Sequence, residues 1–362
     1  MRRRTFVRGV GGGSVAGIGL AGCLTRTGED EDPIDEDGPL RVASYTSMAA
    51  GGRPAGRWLG DAFEDATEDA TVEWTIPESG IDHYIQRARY GAAIDADVYL
   101  GLTAGELAIV DDALAPGQRL FESLDRERLE HDGRVRDDLG FEEPHDRVVP
   151  FDTGYVTLVR DGTAIDPPEA FDELRTSAYD ASLLVQDPRR SDPGRAFLWW
   201  TVAAYGDDYL SFWRDLREND VHVLESWTDA YDAYVRRERP MVVSYSTDRV
   251  GANAADRDLR RHRITPLDER GYENTEGVAV FSERRRPDLA YEFVDFVLSS
   301  RAQAEIAARN VQFPAVERQY VDLEDAFLDH AREPPETVTA TYDDLRGELR
   351  GRLEDWSAEM DG

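Results

Sequence analysis

Residues 96–102 read ADVYLGL, and this mostly apolar run predicts a buried β-strand. Two further strand patterns precede it, LRVASY at 40–45 and ATVEWTI at 70–76. Helical patterns at 58–66 and 81–90 separate the three strands. This strand and helix alternation is typical of a parallel sheet with helices packed on it. The start of the chain therefore predicts an α/β fold.

The rest of the chain repeats the alternation. Residues 148–159 (VVPFDTGYVTLV) predict a long strand pair. Later strands are predicted at 183–186, 241–245 and 277–281, and helices at 194–204, 209–217, 227–236, 287–298, 301–309 and 341–360. About 320 residues are enough to bury a large core and to form two lobes. We assign 39–150 with 279–362 to lobe 1 and 151–278 to lobe 2, each a mixed sheet flanked by helices.

The first 23 residues, MRRRTFVRGVGGGSVAGIGLAGC, carry an export pattern. Arg3 and Arg4 begin a twin-arginine motif, and LAGC at 20–23 completes a lipobox. The apolar run at 10–20 is too short to span ~30 Å of hydrocarbon. We expect a signal peptide at 1–22, a lipid on Cys23 and an acidic tether at 23–38. The folded part is then anchored at the outer face of the cytoplasmic membrane.

The composition is strongly acidic. The chain has 74 Asp and Glu against 42 basic residues, all of them Arg, and a formal charge of −32. Removal of residues 1–22 takes away four Arg and no acid, leaving −36. This charge argues against a nucleic-acid partner. It is typical of an exported protein of a halophilic archaeon, because molar salt screens the self-repulsion. The alternative, an acidic protein with acidic partners, is disfavoured because the acids are spread along the chain.

Signatures of catalysis and metal binding are absent from the sequence. Cys23 is the single cysteine, which excludes disulfides and Cys-ligated metals. No Walker A, HExxH or GxSxG motif occurs, and the six His show no metal-ligand spacing. We expect these His, and the acid pairs Asp111-Asp112 and Asp207-Asp208, on the solvated surface. The sequence predicts a non-enzyme without metal or cofactor, with an extracytoplasmic enzyme on the same scaffold as the alternative.

Four segments resemble the thiamine-binding proteins of bacterial thiamine ABC importers, which have the two-lobed type II periplasmic-binding-protein fold. They are VASYTSMAA at 42–50, VPFDTGY at 149–155, QDPRRSDPG at 186–194, and SWTDAY at 226–231 with VSYST at 243–247. Weaker similarity at 205–208, 271–276 and 313–316 extends the resemblance over nearly the whole exported chain. The resemblance implies a monomeric receptor that delivers thiamine, or one of its phosphates, to an ABC permease and its ATPase.

The resemblance also implies a ligand pocket between the lobes. Its residues are Ser79, Gly80, Ser191, Asp192, Trp227, Tyr245, Ser246, Thr247 and Asp248. Tyr45 is a further candidate because it ends the first strand, where a cleft is expected to open. Tyr231 is another, with core packing an equal alternative. Aromatic faces can stack on the thiazolium cation. Trp199, Trp200 and Trp213 have helical spacing and are predicted to be core, and the strands near Phe151 and Val278 are predicted hinges.

Some positions depart from the family pattern. Gly51-Gly52, Arg249-Val250-Gly251 and Val311 stand where the bacterial proteins carry aromatic residues, and Trp58 is a candidate replacement. A polyamine, ferric ion or phosphonate therefore stays open as the ligand. Asp192 stands where the family has a neutral hydroxyl residue, with Arg190 or Arg195 available to offset its charge. We expect Ser191 or Asp192 to cap a helix with Pro193 in its first turn.

Overall fold

The computed structural model describes residues 38–50 and 53–361. The predicted signal peptide, the lipobox, residues 23–37 of the tether and Gly51-Gly52 lie outside the described residues. The strands are β1 (Leu40–Ala43), β2 (Val72–Thr75), β3 (Val98–Thr103), β4 (Val148–Arg160), β5 (Leu183–Gln186), β6 (His222–Leu224), β7 (Met241–Tyr245), β8 (Arg263–Thr265), β9 (Arg270–Val280), β10 (Phe313–Pro314) and β11 (Glu336–Val338).

Helices cover this sheet. They are α1 (Thr46–Ala49), α2 (Ala55–Ala66), α3 (Ile81–Tyr90), α4 (Ala104–Ala113), α5 (Asp192–Tyr205), α6 (Tyr209–Glu218), α7 (Trp227–Val235), α8 (Asp248–Ala254), α9 (Pro287–Val297), α10 (Ser300–Asn310), α11 (Asp325–His330), α12 (Tyr342–Leu345) and α13 (Leu349–Asp361). In the described part of the chain, each helix is too short or too polar to cross a membrane.

The described strands form one mixed sheet in the order β2-β1-β3-β9-β4-β7-β5-β6. At one end β1 is parallel to β2 and β3, and at the other end β5 is parallel to β6 and β7. Between them the long strands β4 and β9 run antiparallel to each other and to their outer neighbours β7 and β3. The long strands β4 and β9 therefore join the two ends of the sheet, with Val149 opposite Val278.

Aromatic side chains fill much of the core. Trp200 and Trp213 are fully buried, and Trp199 is nearly so, which confirms the three tryptophans as core. The Trp213 ring meets that of Trp356 edge-on at 5.5 Å, and its Nε1 donates to Thr201 Oγ1 at 2.9 Å. This contact joins α6 to α13 at the end of the chain.

Two predicted elements differ from those observed. The strand pair predicted at 148–159 is wrong, because β4 is a single strand with a bulge between Pro150 and Asp152. The helix predicted at 341–360 is two helices, since Gly347 between them has a φ of +81°. The sequence also did not reveal α4, whose first turn is fixed by a capping box of Thr103 and Glu106.

Two predictions of solvated polar residues are also wrong. Asp111 accepts two hydrogen bonds, at 2.8 and 2.7 Å, from the fully buried guanidinium of Arg147. His262 is buried, with its Nδ1 2.7 Å from Asp248 Oδ2, and of the six His only His222 is exposed. Asp207, in contrast, is exposed as expected. In each buried case a partner distant in sequence supplies the opposite charge or the hydrogen bond.

Candidate ligand-binding cleft

A cavity of about 710 Å³ opens where several elements begin or end. Tyr45 follows β1, Asp192 and Trp227 begin α5 and α7, and Tyr245 ends β7. A second cavity of about 850 Å³ adjoins it, with Tyr45, Thr46, Arg190, Asp192 and Ser226 common to both. The ends of elements in α/β sheets are where ligand clefts form. We call the two cavities together the cleft.

Trp227 is held at the wall of the cleft by the start of α7. Ser226 caps this helix by accepting a hydrogen bond from the Asp229 backbone N–H at 3.1 Å. The Trp227 indole Nε1 donates to Ser244 Oγ at 3.0 Å, and its ring stacks on Tyr231 at 4.8 Å with 17° between the planes. Because one face of Trp227 rests on Tyr231, its orientation is fixed while the side chain stays half-buried.

Two tyrosine rings lie flat on the sheet at the floor of the cleft. A Cβ at Gly101 would lie 2.4 Å from Tyr45 Cε1, and one at Gly154 would lie 2.7 Å from Tyr245 Cδ1. Gly101 also has a φ of +107°, which disfavours any residue with a side chain. The two glycines therefore allow both rings to approach the backbone closely.

Both tyrosine hydroxyls reach strand β9. Tyr45 donates to Glu276 Oε2 at 2.6 Å, and Tyr245 accepts from Asn274 Nδ2 at 3.3 Å. Asn310, at the end of α10, donates to the Tyr45 hydroxyl at 3.0 Å and to Asp152 Oδ2 at 2.8 Å. Residues from both ends of the sheet are thus linked at the central strands β4 and β9.

Asp152 and Glu276 face each other across β4 and β9. Asp152 is fully buried and Glu276 is 6% exposed. Burial raises the pKa of Asp152 to about 8. Burial and the neighbouring Asp152 charge together raise the pKa of Glu276 well above its usual range. At neutral pH this pair of carboxyl groups therefore holds a proton.

Helix α5 begins at the cleft with Pro193 in its first turn, as predicted. Ser191 occupies the N-cap position, but its side chain makes no capping hydrogen bond. The predicted side-chain cap is therefore wrong. Asp192 forms an ion pair with Arg195, which also lies 3.7 Å from Glu106 Oε1. Burial, and then the charge of Asp192, raise the pKa of Glu106 to about 8. Arg195 thus offsets the negative charge at the start of the helix.

Most of the predicted site residues come together in the cleft. The 710 Å³ cavity is lined by Tyr45, Ser191, Asp192, Trp227, Tyr231, Tyr245, Thr247 and Asp248. Ser79 and Gly80 line the adjoining cavity. Ser246 lines neither cavity and is buried. Trp58 is also not a lining residue, and its ring instead packs under the Arg301 and Arg309 guanidinium groups.

The sequence analysis missed several lining residues, namely Glu276, Asn310, Gln312 and Arg257. The Arg257 guanidinium lies 5.4 Å from the centre of the Tyr231 ring and donates to its hydroxyl at 3.1 Å. Glu276 and Asp152 both fall in segments that carry the family resemblance, which was the available signal. Within the described residues, no group of three or more His, Cys, Asp or Glu is placed to hold a metal ion.

Comparison with known sequences decides the family. The sequence model described as "Bacterial extracellular solute-binding protein" matches residues 114–345, more than half of the chain. The chain belongs to this family. A relative of this solute-binding protein is the thiamine-binding periplasmic protein of Escherichia coli (strain K12), 27% identical over 325 residues, which cover 90% of this chain and 94% of that protein.

Solved structures agree on the fold of the solute-binding protein. A structure described as a periplasmic thiamin binding protein superposes with a TM-score of 0.76 and 26% identity, covering 89% of this chain and 96% of that one. Apo ferric ion-binding protein A of Pasteurella haemolytica gives 0.70 at 14% identity, over 89% and 97% of the two chains, and supports the fold alone. The predicted mixed α/β periplasmic-binding-protein fold is confirmed.

Proposed function

We propose that this solute-binding protein is the receptor of an ABC importer, which captures thiamine in the cleft and delivers it to the permease. The observation that carries the proposal is the meeting of Trp227, Tyr231, Tyr245 and Tyr45 around one cavity of about 710 Å³. Relatives that are named thiamine-binding proteins, and a thiamin-binding protein of the same fold, support the choice of ligand.

The chemistry of the cleft suits thiamine. The ligand has two flat rings, and its thiazolium ring is a permanent cation. Half-buried aromatic faces such as those of Trp227 and Tyr245 gain about 0.5–2 kcal/mol from each contact with a cation, depending on its desolvation. Asp152 and Glu276 place a pair of buried carboxyl groups at the floor, which become negatively charged when they give up a proton. A cavity of this volume lies in the range for small-molecule ligands.

Capture requires the cleft to close on its ligand. We assign residues 39–150 and 279–362 to lobe 1 and residues 151–278 to lobe 2, with hinges near Phe151 and Val278. The support for this assignment is that β4 and β9 join the two ends of the sheet. We expect the receptor to act as a monomer, as the resemblance to the thiamine-binding proteins implies.

The sequence supports a location for this receptor. We propose that the twin-arginine signal exports it and that a lipid on Cys23 anchors it to the outer face of the cytoplasmic membrane. The formal charge of −36 after removal of residues 1–22 supports a halophilic source. Molar salt reduces the Debye length to about 3 Å and screens this charge.

Titration with thiamine tests the proposal. We expect saturable quenching of tryptophan fluorescence in molar salt and a rise in melting temperature with added thiamine. Spermidine, ferric ion and a phosphonate are the comparison ligands. The proposal fails if one of these three stabilises the folded protein and thiamine does not.

A further inference from the structure

The floor of the cleft carries hydrogen-bond acceptors that lack partners. Glu276 Oε2 accepts from Tyr45, and no described residue donates to its other oxygen. Asp152 Oδ1 is buried without a hydrogen-bond partner among the described residues. Two adjacent buried carboxyl groups are costly to ionise together. This arrangement therefore needs a proton or another positive charge.

Gln312 is a further buried polar residue at the same place. It is 6% exposed and lines the 710 Å³ cavity, and its Oε1 has no hydrogen-bond partner among the described residues. This oxygen lies against the Gly154 backbone rather than facing the cavity. The carboxyl group of Glu276, which lines the cavity, is therefore the acceptor that a ligand meets here.

The arginine side chains near Glu276 already have hydrogen-bond or ion-pair partners within the protein. The charged and titratable groups packed around it are Asp152 on β4, Tyr45 after β1, Tyr245 on β7, Glu106 on α4, and Asp192 with Arg195 on α5. Arg195 is shared by Asp192 and Glu106. Three further guanidinium groups line the cavity. Arg190 pairs with Glu225 at 3.2 Å, Arg309 pairs with Glu305 at 2.6 Å, and Arg257 donates to Tyr231.

We propose that Glu276 is a specificity-determining residue whose carboxylate pairs with the positive charge of a small aromatic cation. The bound cation takes the place of the proton that Asp152 and Glu276 otherwise share, and that proton passes to solvent. Each cation bound therefore releases one proton. This inference rests on the proposed function, because it needs a cationic ligand in the cleft.

Exchange of the proton for the cation makes the affinity for a cationic ligand depend on pH. Burial raises the pKa of Asp152 to about 8 and that of Glu276 well above its usual range, so the pair holds a proton throughout the neutral range. In this range a cation must displace the proton, so binding tightens by up to about ten-fold per pH unit as the pH rises. The affinity levels off only where the free protein has already lost this proton. A neutral ligand of the same shape gains nothing from this exchange.

Calorimetry counts the protons directly. Thiamine is titrated into the wild-type protein in molar salt at pH 6.5, in two buffers with different ionisation enthalpies. The difference in apparent enthalpy is expected to give about one proton released per thiamine. A neutral analogue, with carbon in place of the thiazolium nitrogen, should bind at least ten-fold more weakly and release none. Thiamine binding without proton release, or equal binding of the analogue, overturns the inference while leaving the proposed function in place.

Variants test whether the proton released on thiamine binding comes from Asp152 and Glu276. Glu276→Gln should remove the proton release and weaken thiamine binding by ten-fold or more. Glu273→Gln is the matched control, because Glu273 lies on the same strand but does not line the 710 Å³ cavity, and it should behave like the wild type. Asp152→Asn removes the like charge beside Glu276, so the rise in affinity should occur at lower pH. Unchanged proton release in folded Glu276→Gln contradicts the assignment. Absence of thiamine binding by the wild type contradicts the proposed function instead.

Discussion

Trp227 presents one face to the cleft because its other face is already occupied. The Tyr231 ring lies 4.8 Å away and nearly parallel, and Ser244 accepts the indole N–H. The indole is therefore already ordered in the folded protein without a ligand. Binding then loses little side-chain conformational entropy at this residue, which favours affinity. Tyr231, for which core packing was an equal alternative, is the residue that supports Trp227.

Removal of the Trp227 ring should weaken binding more than it weakens folding. For Trp227→Ala we expect thiamine affinity to fall about ten-fold or more, since a lost contact of ~1–2 kcal/mol corresponds to roughly that factor. Trp227→Phe should recover part of the loss, because it keeps a smaller ring face. Fluorescence or calorimetric titration in molar salt measures both variants. Full-strength thiamine binding by folded Trp227→Ala would contradict the assignment of this residue to the pocket.

Trp213→Ala is the matched control from the core. Its indole is fully buried against Trp356 and donates to Thr201. Truncation of a buried Trp costs about 3–5 kcal/mol of folding free energy. The melting temperature should fall clearly, while the protein that remains folded binds thiamine with nearly unchanged affinity.

For single residues, the sequence predicts which aromatic side chains line the cleft better than it predicts which acidic ones do. Trp227 and Tyr245 stand at the ends of elements and within family-like segments, so their place in the cleft was predictable. Glu276 lies in one of the weaker family-like segments, but it is one of many acids in a chain with 74 Asp and Glu, and that segment does not mark it as a cleft residue. Only the pairing of β4 with β9 places it opposite Asp152. That pairing joins residues far apart in sequence, which local patterns do not report.

The start of helix α5 controls how the cleft treats an anion. Backbone N–H groups at a helix N-terminus favour phosphate, but the Asp192 carboxylate stands among them. Its ion pair with Arg195 removes the free positive charge that a phosphate would need. The same arrangement leaves Arg195 between Asp192 and Glu106.

We therefore expect free thiamine to bind at least as tightly as thiamine pyrophosphate. Asp192→Ser, which restores the neutral hydroxyl expected from the bacterial family, should free Arg195 and shift the preference toward the pyrophosphate by about ten-fold. Calorimetry with both ligands measures this preference in the wild type and the variant. Clearly tighter pyrophosphate binding by the wild type would overturn the prediction.

Elements with a strong pattern were predicted well, and their interruptions were not. The bounds of β5, β7 and α3 match the prediction, since each has a clear apolar period or turn signal. The break between α12 and α13 depends on the left-handed backbone of Gly347. A single glycine in a helical pattern is tolerated at a cost of about 1 kcal/mol, so the sequence alone does not reveal the break.

For the whole molecule, export and anchoring depend on a few N-terminal residues. Cys23→Ser should give an exported protein that is released from the membrane fraction, because no thiol remains to carry the lipid. Replacement of Arg3 and Arg4 by Lys should instead block export. Fractionation of cells followed by immunoblotting distinguishes the two results. Cys23→Ser protein that stays with the membranes after a high-salt wash would show that the lipobox interpretation is wrong.

The charge of the whole molecule predicts how its stability depends on salt. At low ionic strength the long-range repulsion of a chain with a formal charge of −36 after signal removal opposes folding, and molar NaCl or KCl screens it. We expect the melting temperature to rise steeply from tens of millimolar to molar salt. Asp111→Asn is the control, because the buried pair with Arg147 is shielded from salt. Because Glu143 also pairs with Arg147, at 2.9 Å, loss of the Asp111 charge should cost about 1.5–3 kcal/mol at every salt concentration. A melting temperature of the wild type that stays flat across this range would remove the halophilic interpretation, since repulsion between surface acids would then have no measurable effect on folding.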